Sequence, residues 1–132
     1  MALPTFAPGV GPFSSGRGRW TVDTAYLSPA ERYAAASLYL ALVTAESIRC
    51  ADGSGPVVIE GPFARNRLFC SALSAIGGYP VAPSETSTGT TLGAALLATG
   101  TMPLRSLPRT PVAPLSHPAL AAYVEEWRRR AG

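Results

Sequence analysis

Apolar and polar residues along the chain change period several times, and each change marks an element. Ser28-Pro29-Ala30-Glu31 has the form of a capping box: a serine acceptor, a proline at the first helical position, and a glutamate placed to reach back. It predicts a helix to about Arg49, ahead of the Asp52-Gly53-Ser54-Gly55 turn. The middle of this helix, Ala34 to Ala45, is apolar nearly all round and rich in small residues, which predicts burial on most sides with close neighbours. Pro56-Val57-Val58-Ile59 is a short unbroken apolar run, the pattern of a strand covered on both faces. Glu60-Gly61-Pro62-Phe63 turns the chain. From Ala64 the stripe Leu68, Phe69, Ala72, Leu73 and Ile76 predicts a helix closed by Gly77-Gly78, and Tyr79 to Pro83 reads as a second extended segment. Strand, helix, strand at this spacing is a βαβ unit with parallel strands, which makes the class α/β.

The flanks are less regular. Residues 1–27 are broken by Pro4, Pro8, Gly9, Gly11, Pro12, Gly16 and Gly18, so they read as an extended or looped lead-in. Leu3, Phe6, Phe13 and Trp20 nevertheless make this segment too apolar for a free tail, and it is expected to lie over another element. Ser84 to Thr91 is a Ser/Thr/Gly loop, followed by a helix ending at Gly100 on which Leu92, Ala95, Leu96 and Thr99 are expected to face inward. Residues 101–132 form a Pro-rich connection (Met102 to Pro114) and a last helix. Ser116 is its expected cap, with Leu120, Tyr123, Val124 and Trp127 at i, i+3, i+4 and i+7. The whole of 1–132 is one unit, with 28–100 as its helix-plus-βαβα core.

Composition narrows the possibilities. Only 14% of residues are charged, against roughly 25% in soluble domains. All 11 basic residues are arginine, so no P-loop lysine, Schiff base or lysine general base is available. A net charge of +3 spread over the chain is too weak to imply nucleic acid as a partner. Only Arg128, Arg129 and Arg130 cluster, and they either complement a helix C-terminus or contact an anion or nucleic acid. Cys50 and Cys70 lack metal-site spacing, and His117 is the single histidine, so both thiols read as small buried hydrophobes in a reducing, cytoplasmic setting. No apolar run approaches the roughly 20 residues of a membrane helix.

Chemistry concentrates between Val57 and Asn66. A strand leading through Gly61 into a helix start sets backbone amides and a helix dipole where an anion binds, beyond the strand's C-terminal end. Glu60, Gly61, Asn66 and the Arg65/Arg67 pair surround that position, although a tight turn that needs one glycine explains the pattern equally. The Ser84–Gly93 loop is a second anion candidate, or else an N-cap by Thr86 or Thr88 with close packing at Gly93. Asp23, Asp52, Glu60 and Glu85 are scattered candidate bases that no spacing pairs, and His117 has no carboxylate or nucleophile beside it. The terminal helix packs as core or receives a partner.

These residues resemble a known family. Val58-Ile59-Glu60-Gly61-Pro62-Phe63-Ala64-Arg65-Asn66, followed by Ser87-Thr88-Gly89-Thr90-Thr91-Leu92-Gly93-Ala94-Ala95-Leu96-Leu97-Ala98, is similar to the C-terminal domain of FGGY carbohydrate kinases. The lead-in (Leu3-Pro4-Thr5-Phe6, Gly11-Pro12-Phe13) and the helix Ala30–Ile48 look like the segment before that motif. The resemblance implies part of a ribonuclease H-like, actin-like ATPase domain. It implies ATP as cofactor, with magnesium in the intact enzyme, and a sugar that meets the nucleotide only when the domain absent from this sequence is present. Gly61 corresponds to the glycine against the nucleotide's phosphate and ribose, and Asn66 to the polar residue near adenine, with Glu60 and Pro62 flanking them. Pro62 departs from the pattern: many members carry a second glycine there, and proline removes an amide donor. The base and first phosphate loop of the family lie upstream of anything present. The implied function is therefore the nucleotide side of a sugar kinase, inactive alone. A non-catalytic scaffold and a standalone nucleotide-binding module are the alternatives. An open apolar strand edge would also favour self-association or complementation by a second chain.

Overall fold

A computed structural model describes residues 1–84, 89–100 and 110–132, the side chains of 89–92 excepted. The expected loop residues 85–88, with Glu85, Thr86 and Thr88, and most of the Pro-rich connection lie outside the described residues.

Helix α1 spans Pro29–Cys50 and begins as its sequence dictates. The Ser28 hydroxyl oxygen accepts from the Glu31 N–H at 3.2 Å, and the Ser28 N–H donates to Glu31 Oε2 at 2.8 Å. Its buried positions are Ser37, Ala41, Leu42, Ala45 and Glu46, one stripe rather than a whole circumference. The expectation of burial on most sides holds over Ala34–Ala45, where no residue is exposed, and exposure begins just outside it with Tyr33 at 54%. Apolar composition on every side leaves periodicity nothing with which to choose a face.

Strand β3 (Val57–Ile59) pairs in parallel with β4 (Val81–Pro83), placing Val57 opposite Val81 and Ile59 opposite Pro83. A short antiparallel pair, β1 (Ala2–Leu3) with β2 (Arg19–Trp20), gives the lead-in its only strands among the described residues. Between β3 and β4 runs α2, Arg67–Gly77. It starts three residues later than the stripe predicts because Pro62–Arg65 winds into a 3-10 turn and Asn66 supplies the cap. Gly78, at φ +70°, ends it in the left-handed conformation that glycine adopts without strain.

Two cores result. Ala41 and Ala45 of α1, Phe69, Ala72 and Leu73 of α2, and Val81 form the first, where alanines let the two helices approach closely. Cys70 is fully buried there, as expected, whereas Cys50, the last residue of α1, is exposed. Leu3, Leu42 and Trp127 form the second core, with Phe13 and Tyr39 against it. The Trp127 indole N–H donates to the Ala2 carbonyl at 2.8 Å, and its ring meets Phe13 edge-on at 5.3 Å. The aromatic lead-in therefore lies over α1 and α4 (Leu120–Ala131).

Helices α3 and α4 depart from expectation in detail. In α3 (Gly89–Thr99) Leu96 is half-buried, but Ala95 and Thr99 are exposed and Leu97 is 90% exposed. Alanines and leucines on all sides of this helix again give no direction. In α4, Ser116 does not cap. The cap position is Ala119, which makes no side-chain bond, and the Ala119 N–H donates instead to His117 Nδ1 at 3.2 Å. The arginine cluster is held by carboxylates: Arg128 reaches Glu46 of α1, while Arg129 and Arg130 bond Glu126. Among the described residues, no helix is long and apolar enough to cross a membrane.

Candidate functional site

The end of β3 brings Glu60, Gly61, Pro62 and Asn66 into one turn. Gly61 has φ +76°, a region that side-chain-bearing residues avoid, and a Cβ built there would meet nothing within 4 Å. Glycine is thus required by the backbone, while the space over it stays open. Its carbonyl accepts from the Ala64 N–H at 3.1 Å, and the Phe63 carbonyl accepts from the Asn66 N–H at 3.0 Å, closing the 3-10 turn. Proline at its first position needs no donor and has the right φ already. Glu60, Pro62 and Arg65 are exposed on the rim.

Asn66 sits deeper, half-buried, with its amide engaged at both ends. Oδ1 accepts from the Phe69 N–H at 2.9 Å, which caps α2, and Nδ2 donates to the Ser37 hydroxyl at 2.9 Å, which ties the turn to α1. One amide hydrogen and one lone pair stay available for a ligand. Ser37 is the residue that sequence reasoning missed. Its signal was a small hydroxyl inside a largely apolar helical run, and it is only 2% exposed. Behind the turn, burial pushes the Cys70 thiol up, so it stays protonated as a weak donor facing the Phe63 carbonyl at 3.7 Å.

Beside the turn, a cavity of about 280 Å³ opens between α1 and the end of β3, lined by Leu40, Thr44, Val58, Glu60, Phe63 and Phe69. Phe63 is 49% exposed and tilts against Phe69 at 5.7 Å between ring centres. The geometry offers an open backbone surface, a carboxylate and an aromatic wall, all suited to holding a ligand. Asp23 and Asp52 are not part of this turn: Asp23 caps a short 3-10 turn at 24–26, and Asp52 lies in the turn after α1. Among the described residues no three His, Cys, Asp or Glu side chains gather as metal ligands.

Comparison with known proteins gives a consistent picture. The family model described as "Carbohydrate kinase FGGY, C-terminal domain" matches residues 1–106. The crystal structure of a carbohydrate kinase from Novosphingobium aromaticivorans matches with a TM-score of 0.78 at 30% sequence identity. That match covers 100% of this chain, including α4, and 28% of the kinase chain. No curated protein matches.

Proposed function

The chain belongs to the C-terminal domain of the FGGY carbohydrate kinases, and from that premise we propose that it forms the nucleotide side of an ATP-dependent sugar kinase. One observation carries this reading: Gly61 follows β3 at positive φ with open space over its backbone, so a phosphate or ribose can lie directly against the chain. Glu60 and Pro62 flank that position, and Asn66 holds the turn while keeping one donor toward the adenine side. Pro62 removes one amide from the contact, which favours binding through the open face of Gly61 over an amide cradle. Phosphoryl transfer to a sugar hydroxyl needs a positioned base, a phosphate clamp and a metal. These parts, with the sugar contacts, are assigned to kinase sequence outside these 132 residues, so this chain binds nucleotide without transferring phosphate.

Calorimetry with ATP and ADP tests the reading, alongside incubation with ATP, magnesium and a panel of pentoses and hexoses. Saturable heat that Gly61→Ala abolishes, with no sugar phosphate formed, is the expected result. Sugar phosphate above background overturns the non-catalytic part, and absence of saturable heat overturns nucleotide binding altogether. A second reading, an interaction protein that pairs with another chain, is favoured by the exposed edge of β3, where Val58 is 40% exposed. A clean monomer by light scattering at micromolar concentration removes it.

A further inference from the structure

Asn66 stands in the Gly61 turn with almost no freedom left. Its backbone is held on both sides: the N–H donates to the Phe63 carbonyl at 3.0 Å, and the carbonyl accepts from the Cys70 N–H at 3.0 Å. Its side chain is held at two points. Oδ1 accepts from the Phe69 N–H at 2.9 Å, and Nδ2 donates to Ser37 Oγ at 2.9 Å. The Phe69 bond settles which end of the amide is which, since a turned-over amide would set one donor against another. Alone, that bond is a pivot about which the amide plane can swing. The bond to Ser37 stops the swing.

Ser37 does not reach a ligand itself. It lies in the middle of α1 and is only 2% exposed, so any effect it has on a bound molecule passes through Asn66. An amide in a fixed plane offers its remaining hydrogen and lone pair at set places. Adenine complements such a donor–acceptor pair, with an exocyclic amine beside a ring nitrogen. Hypoxanthine carries a carbonyl oxygen where adenine has the amine, and so sets an acceptor against Oδ1.

We propose that Ser37 is a positioning residue for base selection: by fixing the plane of the Asn66 amide, it makes the turn prefer adenine nucleotides to hypoxanthine ones. This role rests on the nucleotide reading of the Gly61 turn, to which it adds the choice of base.

Calorimetry with ADP and inosine diphosphate, on the unmodified chain and on Ser37→Ala, is the test. The unmodified chain is expected to bind ADP about tenfold more tightly than inosine diphosphate. Ser37→Ala is expected to weaken ADP about tenfold and inosine diphosphate little, so the two affinities converge. Ser37→Cys, close in size but a weaker acceptor, is expected to fall between and serves equally if the alanine chain does not fold. In nitrogen-15 spectra of the free protein, one Asn66 side-chain N–H is expected to lose its hydrogen-bonded shift in Ser37→Ala. No preference in the unmodified chain, an unchanged preference in either folded variant, equal weakening of both nucleotides, or an unmoved Asn66 signal would each overturn the role of Ser37 while leaving nucleotide binding in place. Absence of saturable heat with either nucleotide in the unmodified chain overturns both.

Discussion

Strands β3 and β4 have three residues each and share one ladder, yet they live in different surroundings. Val57-Val58-Ile59 is the more hydrophobic sequence, but Val58 is 40% exposed. Val81-Ala82-Pro83 is the weaker strand former, but Val81 is 0% and Ala82 6% exposed. The difference lies in the neighbours. β4 has α2 beside it and the Val112 amide on its outer edge, whereas β3 has a partner on one side only among the described residues. Parallel pairing directs the N–H and C=O of Val57 and Ile59 to β4, which leaves those of Val58 pointing to the open edge. Hydrophobicity states what a strand tolerates, and the elements around it decide what it buries.

Charge placement breaks the comparison most sharply. Val81→Asp puts an unpaired carboxylate into the first core and is expected to cost on the order of 4 kcal/mol or more, seen as loss of the cooperative thermal transition. Val58→Asp is expected to cost under about 1 kcal/mol and to keep that transition. Trimming gives a smaller, cleaner version: Val81→Ala should lose about 2 kcal/mol in denaturant titration. Equal losses from Val58→Ala and Val81→Ala would show that the open edge is covered in solution.

The same contrast recurs among the carboxylates. Glu46 and Glu126 each bond two arginines, but the Glu46 side chain is 5% exposed and that of Glu126 34%. Burial opposes the Glu46 charge, yet the hydrogen bonds from Arg49 and Arg128 outweigh it and hold its pKa below the ordinary 4.5. Arg129 and Arg130 bring Glu126 down to about 2. Both groups hold protons less readily folded than unfolded. Their stabilisation is therefore present above the ordinary 4.5 and lost as pH falls below it, for Glu126 through about 2. Glu46→Gln is expected to cost about 1–2 kcal/mol at neutral pH and to flatten part of this acid limb in melting curves. The smallest effect belongs to Val58→Pro, which removes only an outward-facing donor: stability should fall by under about 1 kcal/mol, while any self-association seen by light scattering disappears.

Legibility in the sequence followed locality. The capping box of α1, the βαβ order and the turn at Gly61 are written in neighbouring residues, and each is where the pattern puts it. The late start of α2 was nearly legible: Asn66 precedes the apolar stripe by the spacing of a cap, but Ala64 and Arg65 extend a helical pattern that Gly61 and Pro62 divert into a tighter turn. Contacts between distant segments left no local trace. Asn66 meets Ser37 across 29 positions, and Arg128 meets Glu46 across 82. The candidate site was therefore readable in its backbone and not in what braces it.

The bond from Trp127 to the carbonyl of Ala2 spans 125 positions, nearly the whole chain. During synthesis the first residues emerge long before the tryptophan that covers Leu3 and Leu42 exists. The core shared by α1 and α2 can assemble on the nascent chain, since its members lie between positions 41 and 81. The other core cannot close until Trp127 has been made, with Leu3 and Leu42 uncovered in the meantime. Contacts that distant along the chain form late, so the pairing of Ala2 with Trp127 is expected to follow the closure of the first core.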